Sequence, residues 1–148
     1  MNTYKIKLKI NKNTLRKNND FGLSKMFNDL KLLDVPREYD IHNNFCFNWA
    51  LKDEDIDNCE EAYIKIYKNY YPITKDEAGE GDIVTFHIIR GQGIPTALNC
   101  KHFAIISSIY KEIKIKSKWG LRGMFESTLT RLPNIYGNYY QIWRVKNA

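Results

Sequence analysis

Apolar and polar residues alternate from Thr3 to Ile10, with Tyr4, Ile6, Leu8 and Ile10 set between Lys5, Lys7 and Lys9. This two-residue period predicts a half-buried strand with a solvated lysine face. Asn11 to Asp20 is rich in Asn and Lys and reads as a loop. Leu23, Met26, Phe27, Leu30 and Leu33 then recur at three- and four-residue spacing, which predicts an amphipathic helix over 22–33 that stops before Pro36. The dense apolar run FCFNWAL follows Asn43 and Asn44, two residues able to cap a helix, so Cys46 is expected in a first helical turn. A second helix is expected to carry Ala62, Tyr63, Ile66, Tyr67, Tyr70 and Tyr71 and to end at Pro72. Tyrosines at helical spacing read as core rather than as a base-stacking platform.

Beyond a polar turn over Lys75–Gly81 the pattern changes to strands. Ile83–Ile89 is β-branched and aromatic, and His102–Ile109 is nearly continuous in apolar residues, as suits a strand buried on both faces. Glu112–Lys118 alternates, placing Ile113, Ile115 and Ser117 on one face and Lys114, Lys116 and Lys118 on the other. The last two runs predict a hairpin turning near Tyr110 and Lys111. Gly120–Gly137 reads as loop with a helical turn near Thr128–Leu132, and Tyr139–Val145 as a closing strand. Helices followed by three or four antiparallel strands define an α+β class.

The 148 residues suit a single domain over 1–148, with 1–20 an N-terminal extension strand and loop. Net charge of +6 raises an acidic protein or nucleic acid as a partner, but the lysines are spread along alternating strands, which favours a solvated face over a nucleic-acid stripe. No apolar h-region opens the chain and no stretch reaches the roughly 20 apolar residues of a spanning helix, so a cytoplasmic protein is expected, with a specialised secretion route as the other possibility. Three cysteines at irregular spacing (Cys46, Cys59, Cys100) make a poor disulfide framework and read as free thiols.

Of these thiols, Cys46 has the setting of a nucleophile, because the N–H groups of a helix start favour a thiolate. Cys59 has Asp57, Glu60 and Glu61 around it in sequence, a field that disfavours a thiolate and makes it a poor nucleophile. Cys100 is intermediate. His102, opening a buried strand, is the best placed base. His42 is a minor alternative, and His87 reads as a core or strand-face residue. Ser117 is a hydroxyl on an apolar face, where it can orient a base. A lone Cys and a lone His are also common packing residues. Zinc is disfavoured because no pair of ligands has finger or ribbon spacing, and the glycines match no phosphate-binding loop, so no metal or cofactor is expected.

The order FCFNWAL, AGEGDIVTFHI, KHFAIIS and IKIKSKWG resembles the NlpC/P60-like branch of the papain-like cysteine hydrolases over about residues 40–145. The resemblance implies N-terminal helices packed on a small antiparallel sheet, with Cys46 as nucleophile, His102 as base and Ser117 at the orienting position. That family usually has His, Asn, Gln or an acid at the third position, so Lys118, Glu126 or a backbone carbonyl stand as alternatives to Ser117. Asp82 would shape the turn before the first strand. Asn44, Trp49, Lys118 and Trp119 would line the oxyanion and substrate side. The implied activity is cleavage of a peptide or amide bond in a peptide or protein substrate, in a bacterial hydrolase, effector or toxin. The alternative is a non-catalytic basic protein on the same scaffold that binds or inhibits an acidic partner.

Overall fold

The structure is a computed structural model that describes residues 45–118, 124–129 and 137–146, together with the backbone of four short strands at 4–5, 9–10, 31–34 and 132–133. In chain order the elements are β1 (Tyr4–Lys5), β2 (Lys9–Ile10), β3 (Lys31–Asp34), α1 (Cys46–Leu51), α2 (Cys59–Asn69), β4 (Tyr70–Ile73), β5 (Ile83–His87), β6 (Cys100–Ser108), β7 (Lys114–Lys118), β8 (Met124–Thr128), β9 (Leu132–Pro133) and β10 (Tyr139–Val145). The chain is therefore of mixed α and β class, built on an antiparallel sheet with few helices.

The main sheet runs β1-β10-β5-β6-β7-β8-β3, with β4 also paired to β10, and every pairing in it is antiparallel. β2 and β9 form a separate parallel pair. β5, β6 and β7 follow the predicted strands, and β6 and β7 form the expected hairpin, with Lys111 at φ 66° in its turn.

Three expectations fail. Lys31–Leu33, expected as the last turn of a helix, lie in β3, and the remainder of that helix falls outside the described residues. Tyr70 and Tyr71 leave α2 and enter β4, which takes Pro72 because among the described residues this strand pairs only with β10, so a missing N–H on its other side leaves no ladder bond unmade. Met124–Thr128, expected as loop, is β8.

Alternation divides the side chains of the sheet between two cores. On one face Val84, Phe86, Ala104, Ile106, Ile115, Phe125, Tyr140 and Ile142 pack together with Ile73 and Leu129. On the other, Ile83, Cys100, Phe103 and Trp143 pack against Cys46, Phe47 and Ala50 of α1 and Ala62, Tyr63 and Ile66 of α2. At the start of β6 the pairing with β5 slips: His102 faces Phe86, but Cys100 faces His87. Lys101 is the extra residue of this bulge. It turns Cys100 to the helix side while His102 stays on the other.

The turn before β5 is pinned by charge. Asp82, buried, accepts the Gly79 N–H at 2.8 Å and pairs with Arg144 of β10 through two contacts of 3.0 and 2.8 Å. Arg144 also donates to the Glu77 carbonyl at 2.9 Å, so the turn is tied to the far strand.

Candidate active site

α1 is only six residues long and cannot hold itself by propensity. Its anchor is Asn48, a buried side chain that accepts the Phe45 N–H at 3.1 Å and donates to the carbonyls of Asp53 and Ile56, both at 2.9 Å. One amide thus fixes the start of the helix and the loop that follows it. α2 begins with its own cap, the Asn58 side chain accepting the Glu61 N–H at 2.8 Å. Cys46 and Cys59 are consequently the first residues of two consecutive helices.

The Cys46 thiol is buried in the core between the helices and the sheet. Cys100 and Phe103 belong to the same core and Cys59 packs against it, so the three thiols act on one another electrostatically. The hydrogen bond to Cys59 and burial together push the Cys46 thiol well up, against a smaller opposing effect from the Phe103 N–H. Cys59 moves the other way: the Cys46 S–H and the positive charge of Lys101 lower it despite partial burial. Burial and Cys59 push the Cys100 thiol well up. Asp57, Glu60 and Glu61, expected to suppress Cys59, are not among the groups that shift it. Those three side chains are exposed, and water screens them.

His102 opens its strand as expected but turns away from the helices. Its ring packs 5.8 Å from that of Phe86, its cross-strand partner, on the sheet face opposite Phe103 and Cys46. No hydrogen bond joins His102 to the Cys46 thiol among the described residues. Burial lowers His102 to about 3, so the ring is neutral at ordinary pH. Ser117 lies on the same face as His102, paired across strands with Phe125 and adjacent to Ile115. The structure thus groups His102 with Ser117 by face and Cys46 with the other two thiols.

The remaining residues divide. Trp49 is half-buried and packs against the helix-side core, while Lys118, expected on a solvated or substrate-facing side, is buried. Asn44, Trp119 and His42 lie outside the described residues. Glu126 accepts a hydrogen bond from Ser107 at 3.1 Å.

His87 is a core histidine, fully buried on the helix side, with its Nδ1 2.7 Å from Asn99 Oδ1 and its Nε2 3.0 Å from Thr85 Oγ1. A surface groove lined by Leu51, Lys52, Glu80, Asp82 and Arg144 opens at the end of α1 remote from Cys46. Among the described residues no group of three His, Cys, Asp or Glu is arranged to hold a metal ion, and no helix is long and apolar enough to cross a membrane.

Asn48 and the three-thiol cluster were the features missed in the sequence. The polar residue in the apolar run FCFNWAL was the available signal for Asn48. Comparison with protein-family models, curated proteins and solved structures returns no match to this chain.

Proposed function

We propose that the chain is a papain-like thiol hydrolase of the NlpC/P60 type, acting on a peptide or amide carbonyl with Cys46 as nucleophile and His102 as base. The observation that carries this reading is that Cys46, the first residue of α1, packs in one core with Phe103, the residue that follows His102. His102 lies on the opposite face of β6, so bringing its imidazole to the thiol takes a shift of the backbone at the Lys101 bulge and not a side-chain rotation. Catalytic hydrogen bonds are often incomplete before substrate binds.

In the reaction, neutral His102 takes the Cys46 proton and the thiolate attacks the substrate carbonyl. His102 returns the proton to the departing amine, and water resolves the thioester. The Cys46 backbone N–H belongs to the first residue of α1, where helical N–H groups have no partner within the helix, and serves the developing oxyanion. Ser117, on the His102 face, supports the ring rather than the sulfur.

The test is turnover of an activated ester with mass analysis of the acyl intermediate. The adduct is expected on Cys46, and Cys46→Ala should abolish turnover. His102→Ala should lower it by about 100-fold or more, the usual worth of a general base. An adduct on Cys59, or turnover that survives Cys46→Ala, refutes the assignment.

A second reading, a non-catalytic binding protein that recognises an acidic partner, is favoured by the packing of His102 away from Cys46. Its charge would come from outside the described core: residues 45–118, 124–129 and 137–146 hold twelve Lys and Arg against twelve Asp and Glu, so the whole excess of +6 lies in the other segments. Under this reading Cys46→Ala leaves partner binding intact, and binding weakens steeply with added salt.

A further inference from the structure

We infer that the loop joining β5 to β6 is a peripheral membrane anchor that inserts Ile94 and Leu98 into the surface of an anionic phospholipid bilayer. These two side chains are 70% and 74% exposed, and among the described large apolar residues only Tyr110, in the turn after β6, is more so. They stand four residues apart on one loop and make a local apolar point rather than a scattered residue.

The loop is held in place by its own bonds. The Asn138 side chain takes both backbone groups of Ile89, accepting the N–H at 2.8 Å and donating to the carbonyl at 2.9 Å. At the other end Asn99 donates to the Ile94 carbonyl and accepts the Thr96 N–H, both at 2.8 Å, and its own carbonyl accepts the Ile88 N–H at 2.9 Å. Ala97 packs against the helix-side core, while Ile94 and Leu98 on either side of it face solvent. The apolar point is therefore preorganised, and little further ordering accompanies contact.

Charge selects the partner. From Ile88 to Lys101 the chain carries two cations, Arg90 and Lys101, and no Asp or Glu. Both cations are exposed, and among the described residues neither joins an ion pair. Lys101 reaches back to the Leu98 carbonyl at 3.5 Å, which keeps its ammonium beside the apolar tip. Aliphatic side chains flanked by cations match the boundary of acyl chains and anionic headgroups, where apolar burial and attraction to the lipid charge act together. A bilayer accepts side chains this exposed without a matching pocket, which a protein partner would have to supply. Two aliphatic residues and two cations give reversible attachment rather than permanent anchoring.

The experiment is cosedimentation of the full chain with vesicles of phosphatidylcholine alone and of phosphatidylcholine mixed with phosphatidylserine. Binding is expected to the mixed vesicles, with little to the neutral ones. Replacing both tip residues, Ile94→Ser with Leu98→Ser, should lower binding to the mixed vesicles by about tenfold or more. Arg90→Gln with Lys101→Gln should also weaken it and reduce its dependence on salt. The net charge of +6 draws the whole chain toward any anionic surface, and that attraction survives the serine pair. Binding left unchanged by the two serines therefore overturns the anchor. No binding of the wild-type chain to mixed vesicles overturns it as well, and is the result expected of a loop that docks on a protein. None of these measurements involves Cys46 or His102, so the anchor and the hydrolase reading fail separately.

Discussion

His87 and Asn99 meet at 2.7 Å between Nδ1 and Oδ1, and that contact fixes the proton on Nδ1. Asn99 Oδ1 also accepts the Thr96 N–H and its Nδ2 donates to the Ile94 carbonyl, so its amide orientation is determined. Nε2 of His87 is then left to accept from the Thr85 hydroxyl, whose oxygen in turn accepts the indole N–H of Trp143 at 3.0 Å. In this arrangement His87 is neutral, with Nε2 as acceptor. Burial pulls His87 down to about 4, against the opposing hydrogen bond that its Nδ1–H donates to Asn99.

Acid should therefore unfold the protein in a defined window. His87 and His102 bind protons in the unfolded chain below about 6.5 but in the folded chain only near 4 and 3. Stability is full above pH 6.5 and declines as pH falls toward 4, by up to about 3 kcal/mol for each histidine. Urea midpoints measured from pH 7 to 4 should fall steadily, and His102→Phe should flatten the slope. A midpoint that stays level across this window is the contrary result.

Asn48→Ala should cost about 2–3 kcal/mol, because it leaves the Phe45 N–H and the Asp53 and Ile56 carbonyls without their partner. Asn48→Asp should not restore stability, since it sets an oxygen against two carbonyl oxygens. Urea denaturation of the three proteins measures this. An unchanged midpoint in Asn48→Ala would show that the loop closes without the amide.

Gly137→Ala should be among the most damaging single-methyl changes in the chain. Gly137 sits at φ 147°, and a Cβ there would lie 2.9 Å from the His87 N and the Phe86 Cβ and 3.0 Å from the His87 carbonyl. Two of these are backbone atoms of a central strand and cannot step aside. A loss of about 2 kcal/mol or more is expected in thermal or urea melts. A variant as stable as wild type would mean that the approach of β10 to β5 tolerates a methyl group.

The elements that carry the site were legible because their signals were local. FCFNWAL marked α1 and put Cys46 at its start, and the alternation of Ile113, Ile115 and Ser117 put that hydroxyl on the Ile115 face. β8 was hidden because its inward residues include Ser127 beside Phe125, which blurs the apolar period. Tyr70 and Tyr71 kept a helical spacing while tertiary pairing with β10 claimed them for a strand. The relation of Cys46 to Cys59, Cys100 and His102 was least legible. It depends on which sheet face each residue takes at the start of β6, and a bulge leaves little trace in composition.

That bulge makes Lys101 the dispensable residue of the strand start. Plain alternation would put Cys100 and His102 on one side of β6, and the one additional residue at Lys101 sends the thiol to the helices and the imidazole to the opposite face. Loss of its codon would make Cys100 and His102 successive residues of a regular ladder, paired as now with His87 and Phe86, and alternation would still set them on opposite faces. Relatives of this chain with Cys and His in direct succession at this point would therefore keep the same arrangement.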